Sequence, residues 1–169
     1  NNYIVCGNDN SLNFDQGDFT IQAWIKPNNI NQNSRIVAKG ETSSPGCYQM
    51  NILDDRLRLS FQNDGALSQA NIIEANEWQH LTMTRNNNLV KGYVNGAEVI
   101  SFINSSNLSS NQVLELGHEP GYESWFDGNM DNVSIWDKAL NQQEIQNYMN
   151  CPPTGNESGL VSYWNFEEG

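Results

Sequence analysis

Along most of this chain, apolar and polar residues alternate with a period of two, in short runs cut by turn residues. The run FTIQAWIKP is the clearest. Phe19, Ile21, Ala23 and Ile25 alternate with Thr20, Gln22, Trp24 and Lys26, and Pro27-Asn28-Asn29 stops the run. Leu57, Leu59 and Phe61 alternate with Arg56, Arg58, Ser60 and Gln62 in the same way. Only a strand puts successive side chains on opposite faces. Similar runs are predicted at residues 3–6, 35–39, 48–53, 67–73, 78–84, 89–94, 97–103, 113–116 and 160–166. Asn95-Gly96 between two of them is a strong hairpin signal, and Asn63-Asp64-Gly65 reads as a loop. About a dozen short strands spaced by turns define an all-β sandwich. The last strand is expected to pair with the first and close a sheet edge.

One stretch changes period. Met130 to Asp137 alternates as a strand, and residues 137–140 turn a corner. Ile145, Tyr148 and Met149 then recur at helical spacing behind Asn141, a good N-cap. This predicts one short C-terminal helix, a cap over the sandwich. On strict alternation Asp131 and Asp137 share a face with Val133 and Ile135. A carboxylate aimed at a core needs a partner or a metal. Asn8, Asp9, Asp127 and Asp131, with the Gly40 carbonyl, supply the oxygen donors that calcium requires.

Eight Lys and Arg stand against twenty Asp and Glu, a net charge of −12. That argues against nucleic acid and anionic membrane surfaces as partners. No apolar run is long enough to span a membrane, so no membrane insertion is expected. Asn1-Asn2 reads as a cut boundary, which suggests a module of a larger chain. The three cysteines form no CxxC pair, which argues against zinc. Cys47 and Cys151 are the expected bridge, and Cys6 is expected to be buried.

The segments FTIQAWIKP, EWQHLTMTR, GYVNGAEV, LELG and FDGNMDNVSIWDKALNQQEI occur in order. This series resembles the concanavalin A-like lectin/glucanase superfamily, in its laminin-G-like and pentraxin-like branch. The resemblance implies a two-sheet antiparallel jelly roll, with 1–169 as a single domain. Residues 151–169 then close the sandwich or open a following module. It also implies a structural calcium held by an early loop and by Asp131. The pentraxin-type calcium site transfers less well. LGHEP would offer Glu119, but residues 41–44 lack the Asp-Asn pair of that branch. The glucanase branch needs two carboxylates at alternate positions on one strand, and no predicted strand carries them.

Sugar recognition requires aromatic platforms beside planar polar groups. His118, Glu119, Tyr122 and Trp125 fall within nine residues of one loop. Trp125 either stacks on a sugar or anchors the loop. Arg35, Arg56 and Arg58 suit carboxylate or sulfate groups of an acidic polysaccharide. Trp24, Trp78, His80 and Tyr93 share the polar side of a sheet, where the two tryptophans read as framework residues. The expectation is a non-catalytic, calcium-stabilised carbohydrate-binding module, secreted or at the cell surface. Its parent would be a bacterial polysaccharide-degrading enzyme or an adhesin. A protein-binding adhesion module is the alternative, and a glycoside hydrolase a minor one.

Overall fold

The computed structural model describes residues 2–62 and 64–167. Asn1 of the expected boundary and Asn63 of the expected loop lie outside the described residues. The alternating runs become β1 (Ile4–Gly7), β2 (Phe19–Pro27), β3 (Asn33–Lys39), β4 (Tyr48–Leu53), β5 (Arg56–Phe61) and β6 (Asp64–Leu67). Then follow β7 (Gln79–Asn86), β8 (Leu89–Val94), β9 (Ala97–Ile103), β10 (Leu114–Leu116), β11 (Gly128–Trp136), α1 (Gln142–Asn150) and β12 (Leu160–Trp164). All strand pairs are antiparallel. The first sheet has the order β1-β10-β3-β4-β5-β6, and the second β12-β11-β2-β7-β8-β9. The α1 helix is too short to cross a membrane, and no other described helix is long and apolar enough to do so.

The core lies between the sheets and takes one face of each run. Ile21, Ala23 and Ile25 of β2 meet Met50, Ile52, Leu57 and Leu59 of the first sheet. Phe14 stacks on Phe19 at a centroid distance of 4.6 Å. Two buried cations tie loops to this core rather than to acids. Lys39 Nζ donates to Asn13 Oδ1 and to the Ser110 carbonyl, both at 2.9 Å. Arg85 donates to the carbonyls of Gly17, Ser106 and Asp15. Asn95 and Gly96 both have positive φ, as a primed two-residue hairpin demands.

The outer face of the second sheet is also covered. Asn141 and Glu144 form a capping box at the start of α1. The helix seats Ile145 and Tyr148 against Trp136, Tyr93 and Leu140. Trp24 Nε1 donates to the Met149 carbonyl at 3.3 Å. The expected cap is therefore present, and it closes the face that carries Trp24, His80 and Tyr93.

Four expectations change. The strand predicted at 67–73 lies earlier, at Asp64–Leu67, where it pairs with β5. Beyond it, the Ser68 amide donates to the Leu57 carbonyl and Ser68 Oγ accepts from the Leu57 amide, and the Ile72 and Ile73 amides then donate to the Asp55 carbonyl. The final strand pairs with β11, not with β1, whose partner is β10. Cys47 and Cys151 are free thiols. Cys47 is buried beside the first sheet, whereas Cys151 is exposed at the end of the helix over the second. Cys6 is only partly buried.

The fourth change concerns Asp131. Strand β11 is bulged, so that Asp131 faces Trp24 while Ser134 faces Gln22. Three steps on one strand match two on the other, and Asn132 takes positive φ to absorb the extra residue. The bulge reverses alternation. Val133 and Ile135 point into the core, while Asp131 shares the outer face with Trp24. Asp137, beyond the strand, is exposed.

Candidate functional site

The outward face of the first sheet is polar but mostly not wet. Gln49, Asn51, Ser60 and Arg35 point away from the core and are nevertheless buried. Residues 40–46 and 117–125 fold over them. The clasp is Glu119, whose side chain is 1% exposed and ion-paired with Arg35. Its Oε1 also accepts from the Thr42 amide at 2.8 Å and from Gln49 Nε2 at 3.0 Å. Burial alone would raise this carboxyl. The bonds from Thr42 and Gln49 and the Arg35 charge outweigh it and hold the group below the usual range. Glu119 and Arg35 were expected to touch sugar. Both are instead spent on this internal pair, with no free face for a ligand.

Trp125 is half-buried at the rim. His118 and Trp125 pair through an isolated β-bridge, and their rings stack at 4.0 Å. Tyr3 packs edge-on to the indole at 5.3 Å and on the imidazole at 4.7 Å. His118 Nδ1 meets the Glu115 carboxylate, and Nε2 meets the Tyr122 carbonyl at 2.8 Å. His118 thus supports the Trp125 ring from behind, where direct sugar contact was expected. Tyr122 stands clear at 51% exposure.

Beside Trp125 lies an open groove of about 500 Å³, lined by Asn2, Asn28, Gln32, Phe126 and Asp127. Asn28 Nδ2 donates to Asp127 Oδ1 at 2.9 Å. An aromatic face beside amides and a carboxylate can stack on a pyranose and bond its hydroxyls. Asn28 and Gln32 escaped sequence analysis because they belong to a different loop, between β2 and β3. The pairing of Gly128 with Pro27 and the bond from the Asn28 amide to the Asp127 carbonyl bring the two loops together.

The five expected calcium donors are not brought to one point. Asn8 and Gly40 bond the carbonyls of Asn111 and Val113, which precede β10. Asp127 adjoins Phe126, whose amide bonds the Gly117 carbonyl just after β10. At about 3.3 Å per residue the two groups are more than 10 Å apart along β10, whereas calcium–oxygen bonds are about 2.4 Å. Asp131 lies further along β11 on the outer face of the second sheet. Asp9 Oδ1 accepts from the Ser11 amide at 2.9 Å, and the Gly40 carbonyl accepts from Gln49 Nε2. The set does not fit one ion.

His80 is a framework residue. Burial pushes its pKa down to about 4 from an ordinary value of 6.5. A histidine that folds neutral must gain its proton on unfolding. Its stability contribution is therefore full above pH 6.5 and is lost as pH falls towards 4. A shift of that size corresponds to about 3 kcal/mol. Melts of the wild type and His80→Gln between pH 4 and 7.5 should show a slope in the wild type that the variant lacks.

These features accompany a clear sequence match. A family model described as the concanavalin A-like lectin/glucanases superfamily matches residues 1–146. The chain belongs to that superfamily. Its fold resembles a candidate carbohydrate-binding protein of Bacteroides ovatus, with a TM-score of 0.81 and 18% identity. That match covers 99% of this chain and 50% of the other. Domain 4 of AbnA, a GH43 extracellular arabinanase from Geobacillus stearothermophilus solved with arabinotriose, gives a TM-score of 0.64. It is 19% identical, over 81% of this chain and 68% of that one. At such identities these likenesses speak for the fold alone. The adhesion G-protein coupled receptor V1 of Danio rerio is 23% identical over 163 residues. The match covers 86% of this superfamily member but spans only 3% of the receptor.

Proposed function

We propose that this superfamily member is a non-catalytic carbohydrate-binding module of an extracellular protein, with the groove at Trp125 as its sugar site. The observation that carries this reading is the half-buried indole held edge and face by Tyr3 and His118, beside Asn28, Gln32 and Asp127. A platform fixed before the ligand arrives loses little freedom on binding. The carbohydrate-related names among the structural neighbours agree with it. Attachment to a polysaccharide-degrading enzyme or an adhesin belongs to the same proposal.

Calcium enters this reading only as a structural ion at one end of β10, on Asn8 and Asp9, and not at the sugar groove. Affinity electrophoresis through a panel of polysaccharides, with and without chelator, tests both parts. Retardation by at least one glycan is expected, and it should survive the chelator. Migration unaffected by every glycan would remove the carbohydrate reading. A bound ion should raise the melting temperature; a melt that is the same in calcium and in chelator would remove calcium.

A further inference from the structure

We infer that Arg58 forms a second subsite, selective for a carboxylated sugar residue such as a uronate, on the outer face of the first sheet. This inference rests on the carbohydrate reading but uses a different site. Arg35, Asn51, Arg58 and Leu67 form one transverse row across β3, β4, β5 and β6, partnered in register. Arg35 ends the row in its buried pair with Glu119. Arg58 is half-buried and has no acidic partner among the described residues, although the chain carries a net charge of −12.

An open groove of about 530 Å³ begins at Arg58 and runs over Thr42, Leu53 and Leu67. It is large enough for one or two sugar residues. The guanidinium offers a planar fork for a carboxylate. Leu53 and Leu67 offer an apolar wall for the C–H face of the ring. Thr42, whose hydroxyl donates to Glu119, also lines the groove. Asp64, which also lines the groove, has each carboxylate oxygen engaged, by the Gly65 amide and by Asn104 Nδ2.

A second observation marks the same row. Arg35 Nε and Asn51 Oδ1 are buried without a hydrogen-bond partner among the described residues. Folded proteins leave few such atoms, and they concentrate where function overrides packing. Here both flank the route from Glu119 to Arg58. The overall negative charge does not forbid an anion, because at physiological salt charges beyond about 8 Å are largely screened. The site therefore works at contact range, without long-range steering.

The test is titration of the protein with oligogalacturonate and with a neutral glycan that retards it, using the wild type, Arg58→Met, Arg58→Lys and Trp125→Ala. Thermal melts of each variant report whether the fold is intact. The expected result is at least a tenfold loss of uronate affinity in Arg58→Met, with unchanged affinity for the neutral glycan. Arg58→Lys should recover only part, because an ammonium keeps the charge and loses the fork. Equal uronate affinity in wild type and Arg58→Met overturns the subsite. So does a wild type that binds neutral glycans and no uronate, an outcome that leaves the Trp125 groove standing. Failure to bind any glycan removes both readings.

Discussion

Glu119→Ala should destabilise the fold by about 3–5 kcal/mol, the usual cost of leaving one member of a buried ion pair behind. Arg35 would be left beneath the 117–125 loop with its charge uncompensated. The Thr42 amide and Gln49 Nε2 would each lose an acceptor. Urea unfolding should show a lower midpoint with an unchanged slope. The double variant Glu119→Gln with Arg35→Met should recover much of the loss, because no buried charge then lacks a partner. pH sharpens the prediction. The folded carboxyl is held below its unfolded value, so its contribution is present above about pH 4.3 and lost as pH falls through the folded value. The gap between wild type and Glu119→Gln should therefore close in acid. A Glu119→Ala protein as stable as the wild type would mean that the clasp over the first sheet contributes nothing.

The second large effect concerns binding. Trp125→Ala should weaken the retained glycan by about 30-fold, or about 2 kcal/mol, as expected for an anchoring aromatic. The variant also loses packing against Tyr3 and His118, so its melting temperature should fall as well. Measurement well below that temperature separates the two effects. Tyr122→Ala should cost less, since its ring is exposed and does not line the groove. Comparable affinities for wild type and Trp125→Ala would place the sugar elsewhere.

The sandwich was legible because its signal is local. Alternation in β2, β5 and β7, the Asn95-Gly96 turn and the Asn141 cap each declare themselves within a few residues. What failed to show was non-local. The bulge at Asn132 is one inserted residue, and it moves Asp131 from the core side to the outer side. Alternation carried through a position where the strand breaks it put the carboxylate towards the core, where it would need a partner or a metal; the family resemblance pointed to the same residue separately. Glu119 and Arg35 lie far apart in sequence, and only the folding of the 117–125 loop over β3 makes them one pair. For the same reason two expected sugar ligands proved to be a clasp, while Asn28 and Gln32 went unmarked. Trp125 was recognised from its loop, but its support by His118 and Tyr3 depends on β1 lying beside β10.

The most direct test of the account is a ¹H–¹⁵N spectrum of the five tryptophan indoles, recorded while a retained oligosaccharide is added. The Trp125 indole should shift progressively. Trp24 and Trp136 should stay in place, because α1 covers both. Trp78 is exposed but does not line the groove, and it should also stay. Shifts confined to Trp78 or Trp24, with Trp125 unmoved at saturation, would contradict the assignment of the sugar site.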